Sequence, residues 1–360
     1  MALADFPRRD PFEEYDIGQV LRLDILSRPV TPLPEQVTAA RKLQVRVRRF
    51  QKPRTLSCCM VVDILAGAHH DLLPTTAFLK LFDRRFAEQH RYDNRIKPWT
   101  KDTEQNYIKS VQNGEVRAFL RDLHNAEDFK DKTKDGWDDA QNEAYLADEL
   151  LKLYTAEAAT YDALQTHQGS VIPRLLAAVD LDITPLDVEA QPTWPVEPFR
   201  IKGILLQHIE GFSLREVPIR TPRALWQGLV DRAVAITHVL GDHNIMNKDV
   251  RLDNFLVSDK GDGSYDIFMI DFGLCRFREQ NESDLDWGRA KWTTDEEGVV
   301  GLLMQVILKR HHKFRLHYEN SERYLEWAER EEEGDNTSRG YVPTEVRPVV
   351  SCSSAPLHPP

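Results

Sequence analysis

The stretch Ile245 to Phe277, IMNKDVRLDNFLVSDKGDGSYDIFMIDFGLCRF, decides how the chain is read. Asp249 is followed five positions later by an amide, Asn254. A strand-like run, Asn254 to Val257, leads into a turn through Gly261, Asp262 and Gly263. A second apolar run, Ile267 to Ile270, ends in Asp271-Phe272-Gly273. Two short apolar runs around a D-G turn predict a β-hairpin. Such a hairpin holds Asp249 and Asn254 at one end and returns Asp271 to the same end. Two carboxylates and an amide there suit a hard, oxygen-loving cation such as Mg²⁺. One carboxylate can be spared to accept a proton from an attacking hydroxyl.

In order and spacing, D-x-x-x-x-N, a hairpin and then D-F-G, the stretch resembles the catalytic loop and metal-binding segment of the protein-kinase-like superfamily. In detail it is similar to a divergent fungal protein-kinase-like group. Asn247 and Lys248 stand where that family usually has His and Arg, and Arg251 where Lys is common. The resemblance covers roughly residues 43–310 and is firm in 203–273. It implies an α+β, bilobal protein-kinase-like fold with a β-rich N-terminal lobe, a helical insertion and a short, mostly helical C-terminal lobe.

With 360 residues the chain can hold two lobes of about 250–300 residues together, plus insertions and a tail. The net charge of −11 argues against a nucleic-acid-binding protein, where a basic footprint is expected. No apolar run approaches the ~18–20 residues needed to span a bilayer. The start, MALADFPRRDPFEEYD, lacks a signal peptide's apolar core. Four cysteines, two of them the adjacent Cys58 and Cys59, form neither a disulfide framework nor a C-x-x-C site. The expectation is an intracellular protein, cytoplasmic or nuclear, with reduced thiols and no membrane partner.

Residues 1–42 read as an N-terminal extension. From Leu43 to Leu65 the chain alternates around Gln51-Lys52-Pro53-Arg54, predicting two antiparallel strands. Protein kinases join such strands by a glycine-rich loop over the ATP phosphates. Here no glycine lies between Gly18 and Gly67. In Thr75 to Asp83, TTAFLKLFD, Lys80 interrupts an apolar strand with Phe78 and Phe82 on its own face. A lysine so placed is part-buried and needs an anionic partner.

Residues 84–148 are charged and helix-prone, with Trp99 and Trp137 as anchors, and point to no particular chemistry. Leu150, Tyr154, Glu157, Tyr161 and Leu164 then fall on one helical stripe whose only charge is Glu157. Lys80 is the obvious partner, as in the strand-lysine to helix-glutamate pair of kinases. Glu149 and Glu143 remain alternatives.

A Pro-rich loop, Pro185 to Pro198, precedes the buried run Gly203 to Leu214. By the resemblance this run enters the hinge, with Leu206 behind adenine and backbone groups of Gln207 and Ile209 binding it. Thr221-Pro222 reads as a helix start, and the apolar period then runs to Gly241. DEEGVVGLLMQVILKR reads as a helix with an acidic start and a basic end. A charged helix is expected from Arg310 to about Glu333, and a disordered tail over 334–360. There is no A-P-E motif. His243 and Cys275 are assigned no role.

The domains expected are an N-lobe at 43–206, with its insertion at 84–148, and a C-lobe at 207–333. The function expected is an ATP- and Mg²⁺-dependent phosphotransferase acting on a hydroxyl of a protein or small molecule. Asp249 acts on that hydroxyl, Asn254 and Asp271 hold Mg²⁺, Lys80 holds phosphates and Glu157 fixes Lys80. Arg251, whose planar fork suits phosphate, neutralises the transferring group. The rival reading is a pseudokinase that binds or scaffolds without turnover.

Overall fold

The structure is a computed structural model that describes residues 10–27, 42–52, 55–65, 74–185 and 197–324. The Pro-rich loop, most of the extension and the tail at 334–360 lie mainly or wholly outside the described residues.

Six strands make the first half: β1 (Val20–Ser27), β2 (Lys42–Phe50), β3 (Cys58–Ile64), β4 (Thr76–Leu81), β5 (Leu175–Asp182) and β6 (Arg200–Gln207). They close into a barrel in the order β1-β2-β3-β4-β6-β5. Every neighbouring pair is antiparallel. This corrects the expected bilobal protein-kinase-like fold, whose N-lobe sheet is open; the mixed α+β composition stands. The physical cause is residues 20–27, which fall within the expected N-terminal extension but form a barrel strand. They pair with β2 on one side, Leu21 opposite Val45, and with β5 on the other, Asp24 opposite Asp180. No edge is then left unpaired.

Alternation divides the strand residues between two cores. Ala77, Leu79 and Leu81 of β4 pack inside the barrel with Val45, Met60, Val179 and Leu205. Phe82, Ile204 and Leu206 belong instead to a second core on the barrel's outer wall. Lys80 shares the parity of Phe78 and Phe82, so its side chain leaves the barrel toward that second core.

Between β4 and β5 the chain forms α1 (Glu88–Asp93), α2 (Lys101–Gln112), α3 (Glu115–Asn125), α4 (Phe129–Thr133) and the long α5 (Asp139–Ala163). Asp138 and Gln141 form a capping box at the start of α5. Buried ion pairs lock these helices to the barrel. Arg84 contacts Glu104 at 2.7 Å and Glu143 at 2.6 Å, and Arg91 contacts Glu143 at 2.7 Å.

After β6 come β7 (Phe212–Ser213), α6 (Val217–Arg220), α7 (Trp226–Asp242), β8 (Ile245–Asn247), β9 (Phe255–Asp259), β10 (Tyr265–Met269) and β11 (Cys275–Phe277). Then follow α8 (Asp284–Thr294) and α9 (Glu296–His312). Two local expectations change. Thr221 does not cap a helix: its hydroxyl donates back to the Val217 carbonyl at 2.8 Å, and a 3₁₀ turn precedes α7. The charged helix expected from Arg310 stops at His312, where Lys313 takes a left-handed φ of 50°. Phe314 then packs on Trp226 with ring centroids 5.1 Å apart.

Candidate active site

The hairpin of β9 and β10 is antiparallel, Phe255 opposite Met269, with left-handed Gly261 and Gly263 in its turn. Its open end is bracketed by a second ladder in which Asn247 of β8 faces Cys275 of β11. Asp249 leaves β8, and Asp271 precedes β11, at this same end. The Ile270 N–H donates to the Asn254 carbonyl at 2.8 Å and fastens the two segments together. Asp271 holds a φ of 67°, a left-handed conformation that Asp tolerates better than most side chains.

Lys80 Nζ donates to Glu157 Oε2 at 2.6 Å and to Asp271 Oδ1 at 2.8 Å. Lys80 and Glu157 are buried, while the Asp271 side chain keeps 29% exposure. One ammonium therefore ties the barrel wall, α5 and the D-F-G segment together. Burial alone would lower the Lys80 pKa, but the Asp271 and Glu157 carboxylates hold it well above its ordinary value. For Asp271, burial pushes upward and Lys80 wins, leaving the carboxyl below its ordinary range. Glu157 also accepts the Phe272 N–H, and the Phe272 ring meets Tyr161 edge-on at 5.3 Å. The alternative partners are engaged elsewhere: Glu149 with Lys152 at 2.8 Å, and Glu143 with Arg84 and Arg91.

Asp249 Oδ2 accepts from Arg251 Nη2 at 2.7 Å. Burial pushes the Asp249 carboxyl above its usual range, opposed by Arg251 and reinforced by the charge of Asp271. A carboxylate raised in this way is a better base near neutral pH. Asn254 Nδ2 donates to the Asp249 carbonyl at 2.8 Å, which turns the amide nitrogen inward and leaves its oxygen free to serve as a metal ligand.

Asn254 Oδ1 and the second oxygen of Asp271 are both hard ligands, so the donor set fits Mg²⁺. Among the described residues there is no cluster of three or more His, Cys, Asp or Glu able to hold an ion unaided. An ion at this site would complete its shell with water and phosphate oxygens, as Mg²⁺ commonly does.

The residues expected at a hinge are placed unequally. Leu206 is buried in the outer core. The Gln207 N–H donates to the Arg174 carbonyl at 2.8 Å, and its side-chain oxygen accepts the Arg174 N–H at 3.2 Å. Gln207 is thus tied to the start of β5, and both it and Ile209, just past the strand, are half-buried.

Sequence reasoning passed over the residues that hold the loop. Asn247 is fully buried. Its Oδ1 accepts the Asp249 N–H at 2.8 Å, and its Nδ2 reaches the Asp271 carbonyl at 3.5 Å. Its own N–H donates to Glu296 Oε1 at 2.7 Å. Glu296 is paired in turn with Lys291, whose ammonium also donates to the Ile245 carbonyl at 3.2 Å. The signals for this anchor were Asn247 itself, standing where the resembled family usually has His, and the acidic start of α9, which reads equally well as a helix-dipole feature. His243 donates to the Val239 carbonyl at 2.9 Å, a local bond. Cys275 is buried in the ladder with β8.

Compared with known proteins, the chain matches no protein-family model and no curated protein sequence. Among the described residues, no helix is long and apolar enough to cross a membrane.

Proposed function

We propose that the chain is an ATP- and Mg²⁺-dependent phosphotransferase that moves the γ-phosphoryl group of ATP to a hydroxyl. The observation that carries this reading is the Lys80 ammonium shared between Glu157 and Asp271 at 2.6 and 2.8 Å, beside a loop that presents Asp249. The resemblance of residues 245–277 to the protein-kinase-like catalytic segment supports the same reading.

Each residue then has a part. Lys80, held in place by Glu157, neutralises the α- and β-phosphates. Asp249 takes the acceptor's proton as the acceptor oxygen bonds to the γ-phosphorus and the bond from that phosphorus to the bridging oxygen breaks, releasing ADP. Arg251 leaves Asp249 to offer two N–H donors to the transferring group. Mg²⁺ held by Asp271 and Asn254 would neutralise charge on the phosphate oxygens. Such chemistry depends on positioning and charge more than on covalent steps.

A second reading is nucleotide binding without turnover. The glycine-free connection between β2 and β3 and the Asp249–Arg251 pair favour it. Both readings require metal-assisted nucleotide binding. Titrating ATP with and without Mg²⁺ should show much weaker binding without metal, because Asp249 and Asp271 would face the phosphates unscreened. Equal affinity in both conditions counts against the site.

A further inference from the structure

A cleft of about 580 Å³ opens in the helical insertion, where the segment after α1 meets α4 and the start of α5. Trp137 lines it, and the buried Tyr145 packs against that ring. Trp137 and Tyr145 have centroids 5.4 Å apart and are inclined by 53°, forming a V. The ammonium of Lys134 occupies this V, 4.6 Å from the Trp137 centroid and 4.3 Å from that of Tyr145.

That ammonium is enclosed, yet Lys134 Nζ has no hydrogen-bond acceptor. A primary ammonium carries three N–H donors, and burying them against ring faces leaves them unsatisfied. Burial, and then the neighbouring Lys130, push the Lys134 amine down to about 8. Lys130 itself donates to the Tyr145 hydroxyl at 2.6 Å. Lys134 is therefore a poor occupant of a well-formed aromatic V.

The remainder of the cleft favours a cation. Asp93, Asp131, Asp135, Asp139 and Glu143 line it, against Arg95, Lys97 and Lys130 once Lys134 is set aside. Glu143 is wholly buried, and its Oε1 has no partner although Oε2 accepts from Arg84 and Arg91. Ring faces attract cations most strongly when the cation is desolvated. An alkylated ammonium carries methyl groups where Lys134 carries N–H, so it leaves no donor unmet.

We propose that this cleft is a binding site for a quaternary ammonium group, with Lys134 as its tethered competitor. The test is calorimetric titration of the full chain with tetramethylammonium chloride and with Nε-trimethyllysine; unmodified lysine and potassium chloride serve as controls. Wild type should bind weakly, and Lys134→Ala, which removes the one ammonium lying over both rings and leaves Lys130 4.6 Å from the Tyr145 centroid, about tenfold or more tightly. Trp137→Leu in the Lys134→Ala background should remove that gain. Trp137→Phe keeps an aromatic face and should remove less of it. Preference for trimethyllysine would assign a methylated side chain as the source, and equal binding a free quaternary amine. Folded Lys134→Ala protein, checked by circular dichroism, that shows no saturable binding overturns the proposal. So does binding matched by lysine or potassium, or binding unchanged by Trp137→Leu.

Discussion

Lys80 Nζ and Glu157 Oε2 meet at 2.6 Å across the junction between the barrel wall and α5, both of them buried. Removing Lys80 strands the buried Glu157 carboxylate, which typically costs about 3–5 kcal/mol, whereas removing Glu157 leaves Lys80 paired with Asp271 at 2.8 Å. Lys80→Met should destabilise the fold by roughly that amount and Glu157→Gln by less, and both should impair nucleotide binding. The double variant should cost less than the sum of the two. Strict additivity in urea unfolding would show that the pair is not coupled.

Glu296 reaches the loop carrying Asp249 through the Asn247 N–H and Lys291. It touches neither Asp249 nor Asp271, so it is expected to position rather than react. Glu296→Gln keeps an acceptor for the Asn247 N–H but removes the charge beside Lys291. It should lower kcat with little change in the KM for ATP. A KM that rises while kcat stays constant would place its effect on nucleotide binding instead.

Gly203 of β6 stands opposite Leu81, and a Cβ there would lie 2.9 Å from the Lys80 carbonyl oxygen and 2.7 Å from Leu81 Cδ2. Backbone cannot give way as a side-chain tip can. Gly203→Ala should therefore destabilise the barrel by about 1–3 kcal/mol, the usual range for overpacking. An unchanged urea midpoint would contradict this close approach of β4 and β6.

Buried Asp83 accepts from Arg85 at 2.6 Å and from the Tyr15 hydroxyl at 2.7 Å. Burial pushes its carboxyl up, but Arg85 outweighs burial and brings it down to about 2. Because the folded value lies below the unfolded one, Asp83 stabilises the fold above the ordinary carboxylate range. That contribution, roughly 2 kcal/mol, is lost as pH falls from about 4 through about 2. The stability gap between wild type and Asp83→Asn should thus narrow from about pH 7 to about pH 2. A gap independent of pH would refute the assignment.

What can be read from sequence follows from locality. The hairpin and its polar ends lie within one short stretch, so apolar runs and glycines reveal them. Lys80 and Glu157 are far apart in the chain, yet each is a lone charge on an apolar face, and such charges point to one another. Strand β1 does alternate, Leu21-Arg22-Leu23-Asp24-Ile25, but alternation names no partner strand. It earns its place by pairing with β5, across a separation of more than a hundred residues that local periodicity does not register. Asn247 and Glu296 were missed because an Asn that caps a loop, and a Glu that opens a helix, look ordinary until the fold brings them together.

The central claim is most directly tested by ATP consumption in the presence of Mg²⁺, measured for wild type, Asp249→Asn and Asp271→Asn alongside Mg·ATP binding. Asp249→Asn keeps shape and polarity but cannot take a proton. It should bind Mg·ATP like wild type and lose about 10²–10⁴-fold in transfer. Asp271→Asn loses the charge proposed to hold Mg²⁺, so both binding and transfer should weaken. If wild type and Asp249→Asn consume ATP at the same rate, or wild type consumes none, Asp249 is not catalytic and the phosphotransferase account is wrong.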